Sequence, residues 1–179
     1  SARNWLSGLA RQEDKRRYAL IGAGLSGDPL YIPSLLNQMA DPAHARVAGE
    51  GFSMITGADL AYLDLDADWP DDFEAGPTED PEDENVEMDA DEDLPWPSPG
   101  AISQWWSANQ HRFSTGQRYL CGEPISLPQC QAVLKDGYQR QRRAAALELV
   151  LSGGGGTLYE TRAPGFRQKK AMARKGAGR

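Results

Sequence analysis

Two runs of alternating aspartates, Asp64, Asp66 and Asp68 and then Asp89, Asp91 and Asp93, come nearest in this chain to the spacing of a metal site. Alternate carboxylates are the first ligands of an EF-hand calcium loop. That loop also needs a glycine at its sixth position and a bidentate glutamate at its twelfth. Neither is present, so no metal site is expected. Catalytic residue types are equally sparse. His44 and His111 lie far apart, with no nucleophile motif between them, and Cys121 and Cys130 form neither a CxxC pair nor a zinc-like set with histidine. They read as two reduced thiols. GxSxG, Walker A and HExxH are all missing, and Gly153 to Gly156 lacks the Lys-Ser/Thr that would make it a phosphate cradle, leaving a flexible turn. No catalytic residue and no cofactor are therefore expected.

The carboxylates instead suggest recognition. Between Asp59 and Asp93 there is no Lys or Arg, whereas Arg162 to Arg179 carries seven cations and no acidic residue, so the net charge of −7 conceals a dipolar chain. A run of like charges usually repels itself and stays extended. Here, however, Leu60, Tyr62, Leu63, Leu65, Trp69, Phe73, Val86, Met88, Leu94 and Trp96 are threaded through it. The expectation is that its aromatic side chains pin the segment along a helical surface and leave a ridge of carboxylates. Such a ridge favours a protein partner with a basic surface and repels nucleic acid; the chain's own basic tail or its Arg140 to Arg143 face would be an internal alternative. The expected partner-binding residues are Asp64, Asp66, Asp68, Trp69, Glu82, Asp83, Glu84 and Trp105. Of the adjacent pair Trp105 and Trp106, helical geometry turns one away from the other by about 100°, so at most one is expected fully in the core, with Trp106 there and Trp105 outside or the reverse. A small-molecule ligand is not expected. No apolar run reaches the roughly 18 residues that span a bilayer, so no membrane partner is expected and the location is read as cytoplasmic. Trp5, Leu6 and Leu9 fall at helical spacing directly after a non-methionine start, which suggests a piece of a longer chain.

The elements that would carry these residues are helical. Lys15 to Gly27 places Tyr18, Ile21 and Leu25 on one stripe with Ala19 and Ala23 beside it, and Gly27 reads as a C-cap. Asp28-Pro29 opens a second helix, to about Met39, with Ile32, Leu35, Leu36 and Met39 on one face. Asp41-Pro42 opens a third, Ala43 to Ile55, closed by Gly57. Further helices are expected over about 100–111, 128–135 and 138–151, with a short extended piece at 118–125. The tail after the glycine run should be irregular.

Short amphipathic helices joined by Gly-Asp-Pro and Asp-Pro turns are the material of α-solenoids. The run RYALIGAGLSGDPLYIPSLLNQMADPAHARVAGEGFSMITG, residues 17–57, resembles a HEAT repeat of the bilin-lyase type, with a Gly-Asp-Pro turn, a PSLL helix and Arg46-Val47-Ala48 opening the next helix. More narrowly, ITGADLAYLDLD, FEAGPTEDPEDENVEMD, LPWP, WW, RF, RYL, GEPIS and TRAPGFR resemble an uncharacterised family of proteobacterial HEAT-like proteins whose members lie near type VI secretion genes. The resemblance implies an all-α fold, a short HEAT-like α-solenoid of stacked antiparallel helix pairs with a long acidic insertion. The expected divisions are helical repeats over 1–58, the acidic aromatic-containing insertion over 59–99, helices completing the solenoid over 100–152 and an irregular basic tail over 153–179. The function expected is a non-catalytic adaptor or chaperone-like accessory, with a type VI effector as partner. An immunity protein blocking a basic toxin surface and a tetrapyrrole-type lyase or ligand-binding protein are the alternatives.

Overall fold

A computed structural model of the chain describes residues 2–71, 73–76, 82, 84, 88–152 and 158–176. Among them the protein is mostly helical, with one two-stranded sheet. The chain divides into two compact units, Ser1–Gly122 and Glu123–Arg179. The acidic segment and the helix after it belong with the first unit, because Leu60, Leu65 and Ile102 are buried in its core.

The first unit contains α1 (Ala2–Ala10), α2 (Arg16–Ser26), α3 (Ile32–Gln38), α4 (Ala45–Thr56) and α5 (Pro99–Asn109). Helix α2 ends at Gly27, whose φ of 69° is the left-handed C-cap that glycine adopts without a Cβ penalty. The carboxylate of Asp28 then accepts from the Leu30 N–H at 3.0 Å. The chain first makes a 3-10 turn, Pro29–Tyr31, and α3 begins only at Ile32, later than the periodicity predicts. Pro33 accounts for the delay, since it has no N–H to return to the first turn. Similarly, α4 begins at Ala45, after an Asp41 turn whose side chain accepts from the Ala43 N–H at 3.1 Å and sits 2.8 Å from His44 Nδ1.

Helix α4 is the centre of the unit, with eleven of its twelve residues buried. It packs against α2 and α3, and Phe52, Ile55, Ile32, Leu35 and Ile102 are completely enclosed around it. Each such side chain contributes about 1.5–3 kcal/mol of burial. The stripe predicted for α2 is displaced: Ala19, Leu20, Ala23 and Gly24 face inward, while Tyr18 is 64% exposed. The cause is the close helix crossing, because a Cβ on Gly24 would lie 2.7 Å from the Gly51 Cα. Only the small-residue side of α2 can approach that closely. Helix α1 lies on α2 through Leu6, which fills the space at Gly22.

The expected extended piece is a minimal hairpin, β1 (Tyr119–Leu120) and β2 (Glu123–Pro124). Its two turn residues, Cys121 and Gly122, have φ of 52° and 86°, the positive values that a tight hairpin turn demands. The second unit then forms α6 (Leu127–Asp136), α7 (Gln139–Leu151) and α8 (Gly165–Gly176). Ser126 caps α6 by accepting from the Gln129 N–H, and α6 pairs with α7. Cys130, Val133 and Leu134 of α6 and Ala144, Ala145 and Ala146 of α7 are buried. The irregular tail expected from Pro164-Gly165 is instead α8. Proline at a helix start loses nothing by lacking an N–H, its carbonyl accepts from Arg167 and Gln168, and the stretch from Arg167 to Lys175 consists of strong helix formers. The expected turn at Gly153 to Gly156 lies outside the described residues. No helix among those described is long and apolar enough to cross a membrane.

Candidate interaction surface

The acidic segment begins with a turn in which Asp59 accepts from the Tyr62 N–H. Leu65 alone points into the core between Ala61 and Trp69, and Asp64, Asp66 and Asp68 are exposed together with Leu63 and Ala67. Asp66 pairs antiparallel with Pro97: the Ala67 N–H donates to the Trp96 carbonyl and the Ser98 N–H to the Leu65 carbonyl, both at 2.8 Å. The two ends of the segment are thereby stitched together. Pro97 is seated over Gly49 of α4, where an added Cβ would approach the proline ring to 3.3 Å.

Aromatic residues complete the fastening. Trp69, Phe73 and Trp96 form one cluster, with ring centroids 4.9–5.8 Å apart. Its centre is Arg46 of α4, 5% exposed, whose guanidinium carbon lies 4.5 Å from the Trp69 ring and 5.7 Å from that of Trp96. A buried cation is tolerated only when paired. Arg46 Nη1 and Nη2 donate to Asp89 Oδ2 and Oδ1 at 2.5 and 3.1 Å, a two-pronged carboxylate pair. Two residues on, Asp91 accepts in the same way from both terminal nitrogens of Arg17 on α2. The Asp91 N–H also donates to Asp89 Oδ1 at 3.0 Å. These aspartates were expected to be solvated; they point inward instead, because α2 and α4 each present a cation there.

The electrostatics follow from this pairing. Hydrogen bonding to Arg46 holds the Asp89 carboxyl below the usual carboxylate range, against the opposing effect of burial. Asp91 raises the affinity of Arg17 for its proton. An open groove of about 310 Å³ runs beside the pairs, lined by Arg17, Ala43, Arg46, Phe73, Met88 and Asp89 among others. Among the described residues no group of three or more His, Cys, Asp or Glu is placed to hold a metal ion.

Of the residues expected to bind a partner, Asp64, Asp66 and Asp68 are each exposed, and Trp69 is partly exposed. Glu82 and Glu84 are exposed, and Asp83 lies outside the described residues. Trp105 belongs elsewhere. Contrary to the expected division, Trp105 and Trp106 are both half-buried, with centroids 5.7 and 6.3 Å from Phe52 and rings edge-on to it. Trp96 holds the surface in place as its aromatic character suggested, whereas Arg17, Arg46, Asp89 and Asp91 were not anticipated in that role. The one available signal was that a tryptophan-bearing acidic run must find its counter-ions on the helices it covers.

Cys121 is set apart from this surface, and burial, with a further contribution from Glu50, pushes its thiol up to about 12. Compared with known proteins, the chain matches no family model, no curated protein and no solved structure.

Proposed function

We propose that the chain is a non-catalytic protein-protein interaction module built on HEAT-like stacked helix pairs, an adaptor or chaperone-like accessory working in the cytoplasm. Its partner is a protein with a basic surface, and a type VI secretion effector is the class that the family resemblance suggests. The observation that carries this reading is the set Asp64, Asp66 and Asp68. These exposed carboxylates flank the buried Leu65 and are accompanied by Tyr62, 84% exposed, and Trp69, 43% exposed. Carboxylates on a fixed backbone beside accessible aromatic rings combine electrostatic steering with the residue types that dominate protein interfaces.

The test is a pull-down of proteins encoded beside this gene with the wild-type chain and with a D64K/D66K/D68K variant. One neighbour should be retained by the wild type, released by raising the salt to about 0.5 M, and lost in the variant. Retention indifferent to the three substitutions, or no retained neighbour, overturns the reading.

A further inference from the structure

We infer that the exposed basic and apolar residues of α7 and α8 in the second unit are a peripheral docking surface for anionic phospholipid membranes. The charge is segregated by unit: residues 123–179 hold eleven Lys and Arg against four Asp and Glu, while residues 1–122 hold eight against twenty-two. The absence of a spanning helix, which led to the expectation of no membrane partner, does not bear on a surface of this kind. A protein can lie on a bilayer without crossing it.

Helix α8 is held so that Arg167, Lys169 and Lys170 point outward. Gln168 is its inward anchor, donating to the carbonyls of Thr161 and Ala163 at 2.9 and 2.6 Å and accepting from Arg142 of α7. Tyr159 adds a hydroxyl bond of 2.9 Å to the Gln168 carbonyl. With that side docked, Arg167, Lys169 and Lys170 are exposed, and Phe166 stands among them with 71% of its surface accessible. Arg167 lies 5.9 Å from the Phe166 ring. Arg174 and Lys175 follow in the same helix.

Helix α7 repeats the combination. Arg143, Leu147 and Leu151 are spaced i, i+4 and i+8, share one face, and are all exposed. Leu158 is exposed as well. Cations alone would suit any polyanion, but exposed leucines distinguish between the candidates. A nucleic acid gains from aromatic stacking and phosphate contacts and has no use for aliphatic side chains, whereas an acyl boundary accepts both leucine and phenylalanine. Cations then pair with phosphate and carboxylate headgroups, and each contributes roughly a fivefold gain in binding at an anionic surface.

The experiment is co-sedimentation of the full chain with vesicles of phosphatidylcholine alone and with about one third phosphatidylserine, with an unstructured oligodeoxythymidylate as competitor. Binding is expected to the anionic vesicles only, and to weaken at least tenfold between about 0.05 and about 0.5 M salt. K169E/K170E should lower partitioning more than tenfold, and L147S/L151S several-fold, while K169R/K170R should retain it. Unchanged helical circular dichroism in each variant will show that folding is intact. Failure to sediment with anionic vesicles overturns the inference, as does indifference to K169E/K170E or displacement from vesicles by an equimolar oligonucleotide. The three aspartates of the first unit are untouched in these variants, so the outcome is independent of the protein partner proposed above.

Discussion

Arg46 and Asp89, forty-three residues apart in sequence, meet as a two-pronged ion pair beneath a roof of three aromatic rings. The pair is enclosed, so removing one member strands the other in a poorly solvated place. Arg46→Ala is expected to destabilise the protein by roughly 3–5 kcal/mol in urea titration. Asp89→Asn should cost less, because the amide still accepts from Arg46. A double-mutant cycle should return a coupling above about 1 kcal/mol; an additive result would mean that the aromatic rings, and not the carboxylate, hold the segment down.

Acid should loosen the same fastening. The carboxyls of Asp89 and of Asp41, the latter bonded chiefly to His44, titrate below their ordinary values in the folded protein. Their contribution is complete above the unfolded value of about 3.9 and is lost as pH falls through the lower folded value. Thermal midpoints should therefore be level down to about pH 5 and fall below about pH 4, and Asp89→Asn should flatten part of that fall.

At the alkaline end the sign reverses. With its thiol raised to about 12, Cys121 favours the protonated form in the folded state, and that contribution is present below the unfolded value and disappears as pH climbs toward the folded one. At pH 8 the thiolate fraction is on the order of one in ten thousand. Reaction with an aromatic disulfide reagent should be far slower in buffer than in denaturant, and a fast native reaction at Cys121 would contradict the burial.

The crossing of α2 over α4 gives a glycine contrast. Gly24→Ala would set a methyl 2.7 Å from the Gly51 backbone and is expected to cost about 1–3 kcal/mol. Gly8→Ala, in α1 with open space around the new carbon, should be neutral or stabilise by about 0.5–1 kcal/mol. Urea midpoints of the two variants are the comparison.

That contrast also marks how far the sequence could be read. Turn chemistry was legible, and Gly27, Asp28, Asp41 and Gly57 each work where their types suggest. Which face of α2 is buried was not, because hydrophobic periodicity weighs Tyr18 and Ile21 above Ala19 and Ala23 and has no measure of a partner helix whose own glycines invite close approach. In the tail, Pro164-Gly165 reads equally as a breaker and as a helix start, and only packing through Gln168 separates them. Fastening of the acidic segment by tryptophan and leucine could be anticipated from their presence in a charged run. The inward turn of Asp89 and Asp91 could not, since it depends on two arginines brought together by α2 and α4.

The burial of α4 on nearly every side has a bearing on how the protein is made. Helix α4 leaves the ribosome roughly forty residues ahead of Trp96 and Pro97, an interval of about 2–8 s at ordinary translation speeds. Throughout that delay the flank destined to lie beneath Trp96 and Pro97 faces water with no cover of its own. The newborn chain thus passes through a sticky stage, and a holding chaperone would find its binding site there and lose it once the acidic strap closes.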